Sequence, residues 1–365
     1  MPDPAATAGA GKRTVFYVGG FEAVGGIEAF LFDLLTTLPK DGARAMLVWA
    51  KDLPEFREIE RAGTTVLRTR LRMGCRFGLP DRLLFARHGG RLAGADRIVF
   101  AKIPPASLFA RIVDAARARR PVPTETVFVT PYRPREMWPD GFPDWIGRGL
   151  DRVLVQSDEF AEDLRAMGFA GAIDILPYVP PPAVVAPVER PRDGTFRLGF
   201  LGRFVVQKNL FYLLDIADQL RADDIAFDLF GGGEHEAGLR SAVQAGALPV
   251  TFHGVVPRAQ VADAIDRCDA FINPSISEGQ CLVALEVLSR GRPFIATGVG
   301  AIPEMLARGG LGRIIPLDDA PGAAAIVRAV VAEWRAGGWQ AGDIARNYAD
   351  AYPRAQIIGA YQKLL

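Results

Sequence analysis

Residues 270–286 read Ala-Phe-Ile-Asn-Pro-Ser-Ile-Ser-Glu-Gly-Gln-Cys-Leu-Val-Ala-Leu-Glu. The first four, Ala270–Asn273, predict a short buried strand. A loop through Glu278 and Gly279 follows, and then an apolar run from Leu282 with helical spacing. Strand, loop and helix in that order form the unit from which a parallel sheet covered by helices is built. Glu278 falls in the loop and Glu286 inside the helix, so the two carboxylates address a ligand from different elements. A carboxylate accepts from vicinal hydroxyls, and the helix start between them offers N–H groups to a phosphate. Taken singly, Glu286 reads equally well as a paired structural carboxylate.

The same unit recurs outward in both directions. Strands are expected near 196–201, 226–230, 250–252 and 293–296, with a helix from Leu210 whose apolar positions are Leu210, Leu213, Leu214, Ala217 and Leu220. Upstream, strands are expected near 14–18, 43–49, 64–67, 97–101, 126–130 and 152–155. Between the two series lies a stretch dense in proline, with Pro177, Pro180, Pro181, Pro182 and Pro187. Those residues forbid a regular helix or a central strand and place a linker there. A chain of 365 residues suits two α/β domains at about 150 residues each. A cleft between two such domains is a usual place for a ligand. No repeat recurs at fixed spacing, which excludes solenoids and propellers.

Composition narrows the function. Hydrophobic residues at 49% and charged residues at 23% describe a folded, soluble protein, and a net charge of +1 gives no footprint for nucleic acid. Cys75, Cys268 and Cys281 have no paired spacing, so neither a disulfide framework nor a zinc site is expected. The opening MPDPAATAGAGKR lacks the apolar core of a signal peptide, and no apolar run reaches the length of a membrane span. A cytoplasmic protein is expected, touching a membrane at most peripherally on its inner face.

Three further features carry chemistry. Gly202-Arg203-Phe-Val-Val-Gln207-Lys208-Asn209 lies between a strand and a helix. Arg203, Lys208 and the helix start can there converge on a diphosphate, although loop cations are often only solvated. Gly19, Gly20, Gly25 and Gly26 precede an amphipathic stretch, where glycine permits close approach of phosphate or serves turn geometry alone. The spacing does not match a dinucleotide fingerprint. The segment Arg68–Arg97 holds eight arginines among apolar residues. It suits an anionic lipid surface or an acidic or lipid-linked acceptor, or simply a solvated basic helix face. The loop Pro131–Pro139, with Phe142 and Trp145 beyond it, could wall an acceptor cleft or pack as an ordinary loop. His88 reads as a surface residue, His253 as a structural residue or as one at a strand end near a nucleotide base, and Cys281 as a small lining residue rather than a nucleophile.

Taken together, GRFVVQKN, the triple glycine Gly231–Gly233 and residues 268–304 resemble the donor half of GT-B glycosyltransferases of glycosyltransferase family 4. The likeness is strong from Phe196 to about Pro316, and Gly25-Gly26-Ile27-Glu28 is similar to the family's glycine loop in the other domain. The resemblance implies an α/β GT-B architecture, two Rossmann-like domains whose parallel sheets face a central cleft. It implies an acceptor domain over 1–180, a nucleotide-sugar donor domain over 181–350, and a terminal helix over 351–365 crossing back to the first domain. The implied reaction is retaining transfer of a sugar from a nucleotide diphosphate sugar to an acceptor hydroxyl, on a glycan or lipid-linked acceptor, in making a surface polysaccharide or glycolipid.

By match of position, Arg203 and Lys208 neutralise the leaving diphosphate, Glu278 contacts the donor sugar and Glu286 binds the ribose hydroxyls. Gly25, Gly26, Gly202, Gly279, Gln280, Cys281 and Leu282 complete the implied donor site. The absence of any DxD fits catalysis without a metal or other cofactor, as the family resemblance also implies. Two departures stand out. Gln280-Cys281 replaces the Phe-Gly of many relatives, which puts side chains where backbone would approach the sugar. The region 129–133 also lacks the histidine that relatives often carry. A catalytically silent nucleotide-sugar binding subunit is the alternative these departures favour.

Overall fold

The structure is a computed structural model that describes residues 12–21, 26–40, 43–50, 53–69, 79–118 and 124–365. Gly25 and Cys75 lie outside the described residues, as does the part of the arginine-rich segment over 70–78. Contacts divide the chain into two units, one ending at Val179 and completed by Ala355–Leu365, the other spanning Pro180–Arg354.

Among the described residues the first unit holds seven strands: β1 (Thr14–Phe21), β2 (Arg44–Ala50), β3 (Thr64–Thr69), β4 (Arg97–Phe100), β5 (Glu125–Val129), β6 (Arg152–Val155) and β7 (Ala172–Ile175). They form one sheet in the order β3-β2-β1-β4-β5-β6-β7, and every pairing is parallel. Parallel neighbours need crossover helices on both faces, which is why β4 is buried at every residue and β5 at all but its first, Glu125. Val15, Tyr17, Ile98, Phe100, Phe109, Phe128 and Phe160 belong to one core cluster. Burying each contributes roughly 1.5–3 kcal/mol.

Along β4 to β7 a charge ladder joins neighbouring strands. Arg97 donates to Glu125 (2.8 Å), Arg152 donates to the other Glu125 oxygen (2.9 Å), and Arg152 also pairs with Asp174. Arg97 is thus buried in an ion pair and is no part of a basic surface. The helix Leu79–Ala93 sinks Leu84 and Leu92 into the core and exposes Arg82 and Arg87. The terminal helix Arg354–Leu364 buries Ile357 and Tyr361 in this unit, and Tyr361 donates to the Pro177 carbonyl at 3.1 Å.

The second unit holds β8 (Phe196–Leu201), β9 (Ile225–Phe230), β10 (Val250–Gly254), β11 (Ala270–Asn273), β12 (Phe294–Thr297) and β13 (Gly312–Ile315). Their order is β10-β9-β8-β11-β12-β13, again parallel at every pairing. In both sheets the order reverses beside the first strand, between β1 and β4 and between β8 and β11. In such sheets the crevice outside the carboxyl ends of the strands at that reversal is where ligands sit.

Two strands escape the sequence reading, β7 and β13. Both are four-residue edge strands with exposed positions, so neither shows the apolar run that marks a central strand.

Candidate functional site

The site at the β8/β11 reversal is built from two loops that bind each other. After β8 the chain runs through Gly202 and Arg203 into a single tight turn, Val206–Lys208. Asn209 then adopts a left-handed conformation (φ 51°) before the helix Leu210–Gln219. Asparagine is one of the few side chains that enters this region readily, which explains its place between turn and helix. After β11 the chain passes Pro274, Ser275 and Glu278 to Cys281, also left-handed (φ 56°), which precedes the helix Leu282–Ser289. Gln207 Nε2 donates to the Ser277 carbonyl (2.8 Å), and the Ile276 amide donates to the Gln207 carbonyl (2.9 Å). These bonds join the loops across the crevice.

An ion pair between half-buried Lys208 and buried Glu278 completes the join. Lys208 Nζ donates to Glu278 Oε1 at 2.5 Å, with side chains only 16% and 6% exposed. The same oxygen receives Asn273 Nδ2 at 2.8 Å and lies 2.7 Å from Ser275 Oγ. Ser275 Oγ is also 2.5 Å from Asn273 Oδ1, and its single proton serves one of these acceptors at a time. Glu278 Oε2 has no hydrogen-bond partner among the described residues. One carboxylate oxygen is therefore locked and the other is free for a ligand.

Arg203 is exposed and makes no hydrogen bond or ion pair among the described residues. The opening turn of Leu282–Ser289 presents amides without intrahelical acceptors. A guanidinium without a partner among the described residues, an ammonium and helix amides at one sheet reversal are donor groups of the kind that receive an anion. Glu286 lies within that helix, half-buried, and its charge reaches Tyr348, whose phenol is pushed up by burial first and by Tyr352 and Glu286 besides.

Two glycines permit the loops to approach. A Cβ on Gly231 (φ +141°) would stand 1.8 Å from the Gly202 carbonyl oxygen, so the triple-glycine loop can close on Gly202 only without a side chain. A Cβ on Gly300 (φ +59°) would stand 2.3 Å from the Glu278 carbonyl oxygen. The Ala301 amide donates to Gly279 there, holding the loop from below at 3.0 Å.

Gln280 and Cys281 do not project freely from the loop. Gln280 is buried and hydrogen-bonds to the phenol of Tyr352, whose pKa burial pushes up to about 12. The Cys281 thiol accepts from Asn273 Nδ2 at 3.1 Å, and burial pushes its pKa up to about 12, so it is no nucleophile at neutral pH. Asn273 and Ser275, which hold Glu278, escape the sequence reading. They stand in an Asn-Pro-Ser run that reads as ordinary turn chemistry.

His253 is held structurally. Its Nε2 lies 2.6 Å from Oδ1 of buried Asp228, which also receives Arg197 at 2.6 Å, and its ring stacks on Phe230 at 4.5 Å. In the first unit, Gly26 opens the helix Gly26–Thr37 and is exposed. The loop after β5 packs firmly. Arg133 and Arg135 both pair with Asp163 (2.7 and 2.6 Å), and Trp138 stacks edge-on against Phe142 at 4.7 Å. Thr130 Oγ1 lies 3.2 Å from the Leu154 carbonyl and 3.3 Å from Gln156 Oε1, while Tyr178 donates to the Thr130 carbonyl at 3.0 Å.

Residues 195–333 match the family model described as glycosyl transferases group 1. A phosphatidyl-myo-inositol mannosyltransferase of Mycolicibacterium smegmatis is 31% identical over 184 residues, 47% of this chain and 46% of that protein. The sulfoquinovosyl transferase SQD2 of Arabidopsis thaliana is 33% identical over 106 residues, 29% of this chain and 20% of that one. The matched segments thus span between a fifth and just under half of these curated relatives. Among solved structures, HepE of Anabaena, in complex with UDP and glucose, superposes with a TM-score of 0.75 at 15% identity, covering 96% of this chain and 98% of HepE. A lipopolysaccharide outer core galactosyltransferase, WaaB, superposes with a TM-score of 0.67 at 15% identity, covering 96% of this chain and 99% of WaaB. Two parallel sheets of seven and six strands with these neighbours establish the GT-B fold.

Proposed function

We propose that this chain is a glycosyltransferase that binds a nucleotide diphosphate sugar at the β8/β11 reversal and transfers the sugar, with retention and without a metal, to an acceptor hydroxyl. The observation that carries the reading is the pairing of Lys208 with Glu278 across the crevice, beside an Arg203 that has no partner of its own. A diphosphate supplies the anion that Arg203 lacks, and Lys208 stands ready to share its ammonium with it. Charge that grows on a leaving diphosphate is stabilised by donors already fixed in place, and two mutually bonded loops fix them. The free Oε2 of Glu278 accepts a hydroxyl of the donor sugar, and Glu286 accepts from the ribose. The first unit receives the acceptor, and by likeness to the family the product is a surface polysaccharide or glycolipid.

Turnover tests this directly. The protein is incubated with UDP-glucose, GDP-mannose or ADP-glucose, a lipid and glycan extract, and EDTA, and release of the nucleoside diphosphate is followed. Release in the wild type, loss of it in Arg203→Ala and a retained anomeric configuration by NMR are expected. The departures at 129–133 favour a silent binding subunit, and a wild type that binds a nucleotide sugar yet never releases its diphosphate would establish that reading instead.

A further inference from the structure

We infer that Glu278 discriminates by charge between the intact donor and the spent nucleoside diphosphate, and so helps to expel the product; this rests on the donor reading of the site. Lys208 Nζ sits 2.5 Å from Glu278 Oε1. A phosphate oxygen paired with the same ammonium at the usual charge-assisted distance, about 2.7–2.9 Å, lies within about 5–6 Å of that carboxylate. Any anion drawn in by Lys208 therefore feels Glu278 as well.

The carboxylate cannot swing away without losing its bonds. Asn273 Nδ2 and Ser275 Oγ hold Oε1 from the floor of the loop, and Asn273 and Ser275 are themselves buried. The pair Lys208–Glu278 sums to zero charge, so the net positive charge facing a ligand comes from Arg203 and the helix start. Such a site tolerates the diphosphate diester of a nucleotide sugar. After the sugar leaves, the terminal phosphate becomes a monoester whose second ionisation, near pH 6, adds close to one further negative charge at pH 8. That added charge is repelled by Glu278, while the hydroxyl that accompanied the intact sugar, and that Oε2 accepted, is gone. On Glu278's side both changes favour the donor over the product, against the pull of Lys208 and Arg203 on the same added charge.

The test is a ratio of affinities, measured by calorimetry at pH 8 for UDP against UDP-glucose, GDP against GDP-mannose and ADP against ADP-glucose. Glu278→Gln keeps the shape and an Oε1 acceptor for Asn273 and Ser275 but removes the charge. It is expected to shift the ratio toward the nucleoside diphosphate about tenfold, the size of one charge acting over such a distance in a partly solvated site. Glu278→Asp keeps the charge and is expected to preserve the discrimination, which supplies a second variant should the glutamine chain fail to fold. An unchanged ratio in Glu278→Gln, or a ratio lost equally in Glu278→Asp, overturns the inference while leaving the donor site intact. Absence of binding by every nucleotide to the wild type overturns the donor reading itself, and the inference with it.

Discussion

The two sheets reverse their strand order at equivalent places, yet the crevices there are furnished differently. At β8/β11 two loops are bonded to each other, an ion pair spans them and an unpaired arginine stands beside it. At β1/β4 the chain offers Gly19 and Gly20 on one side and an exposed Lys102 on the other. Beside it, Thr130 and Gln156 direct polar atoms at each other, and Arg133 and Arg135 are spent on Asp163. Topology supplies a place for a ligand twice, and among the described residues the loops gather donors suited to an anion at one of the two.

The largest expected effect probes how closely the second unit's loops approach. Gly231→Ala drives a methyl into the Gly202 carbonyl and is expected to cost about 3–4 kcal/mol in urea unfolding. Its counterpart in the first unit, Gly141→Ala, also has a positive φ (+108°) but meets nothing within 4 Å, and should cost only about 1 kcal/mol. Equal costs would break the contrast.

A smaller effect separates binding from stability. Arg203→Ala and Glu286→Ala should each weaken nucleotide-sugar binding by about 1.5–3 kcal/mol, the range for hydrogen bonds to charged groups. Arg203→Ala should leave the melting temperature within a degree or two. Wild-type affinity in either variant removes that residue from the site.

Glu125 sharpens the contrast from the other side. Burial alone would raise its pKa, but the hydrogen bonds and charges of Arg152 and Arg97 outweigh it, and the carboxyl falls below its ordinary value of 4.5. The stability it contributes is thus complete above the unfolded pKa and lost as pH falls through the lower folded one. Glu125→Gln should cost about 1–2 kcal/mol at pH 7, with the gap to wild type closing below pH 4, and should leave nucleotide binding unchanged. A gap independent of pH would contradict the ladder. The smallest effect is a null one. Iodoacetamide at pH 8 should leave Cys281 unmodified in the folded protein, as peptide mass spectrometry would show, because its thiol remains protonated.

Much of this was legible because it is local. Short apolar runs marked the central strands, Pro180–Pro182 marked the passage between units, and Gly202 to Asn209 announced a strand-to-helix loop. What stayed hidden depends on distance in sequence. Lys208 and Glu278 are 70 residues apart, and nothing local says that they touch. Gln280 reads as a side chain facing a ligand, yet the fold brings Tyr352 to it and buries it. His253 reads as a strand-end residue, and only the β9–β10 pairing sets it against Asp228. The edge strands β7 and β13 stayed silent because half of each faces solvent.

The central claim is that the second unit's crevice holds a nucleotide diphosphate sugar through Arg203 and the Lys208–Glu278 bridge. Calorimetric titration of wild type and Arg203→Ala with UDP-glucose, GDP-mannose and ADP-glucose tests it most directly. The account predicts that one base is bound in preference and that the variant loses at least tenfold in affinity for it. Binding by none of the three, or equal binding by the variant, would contradict it.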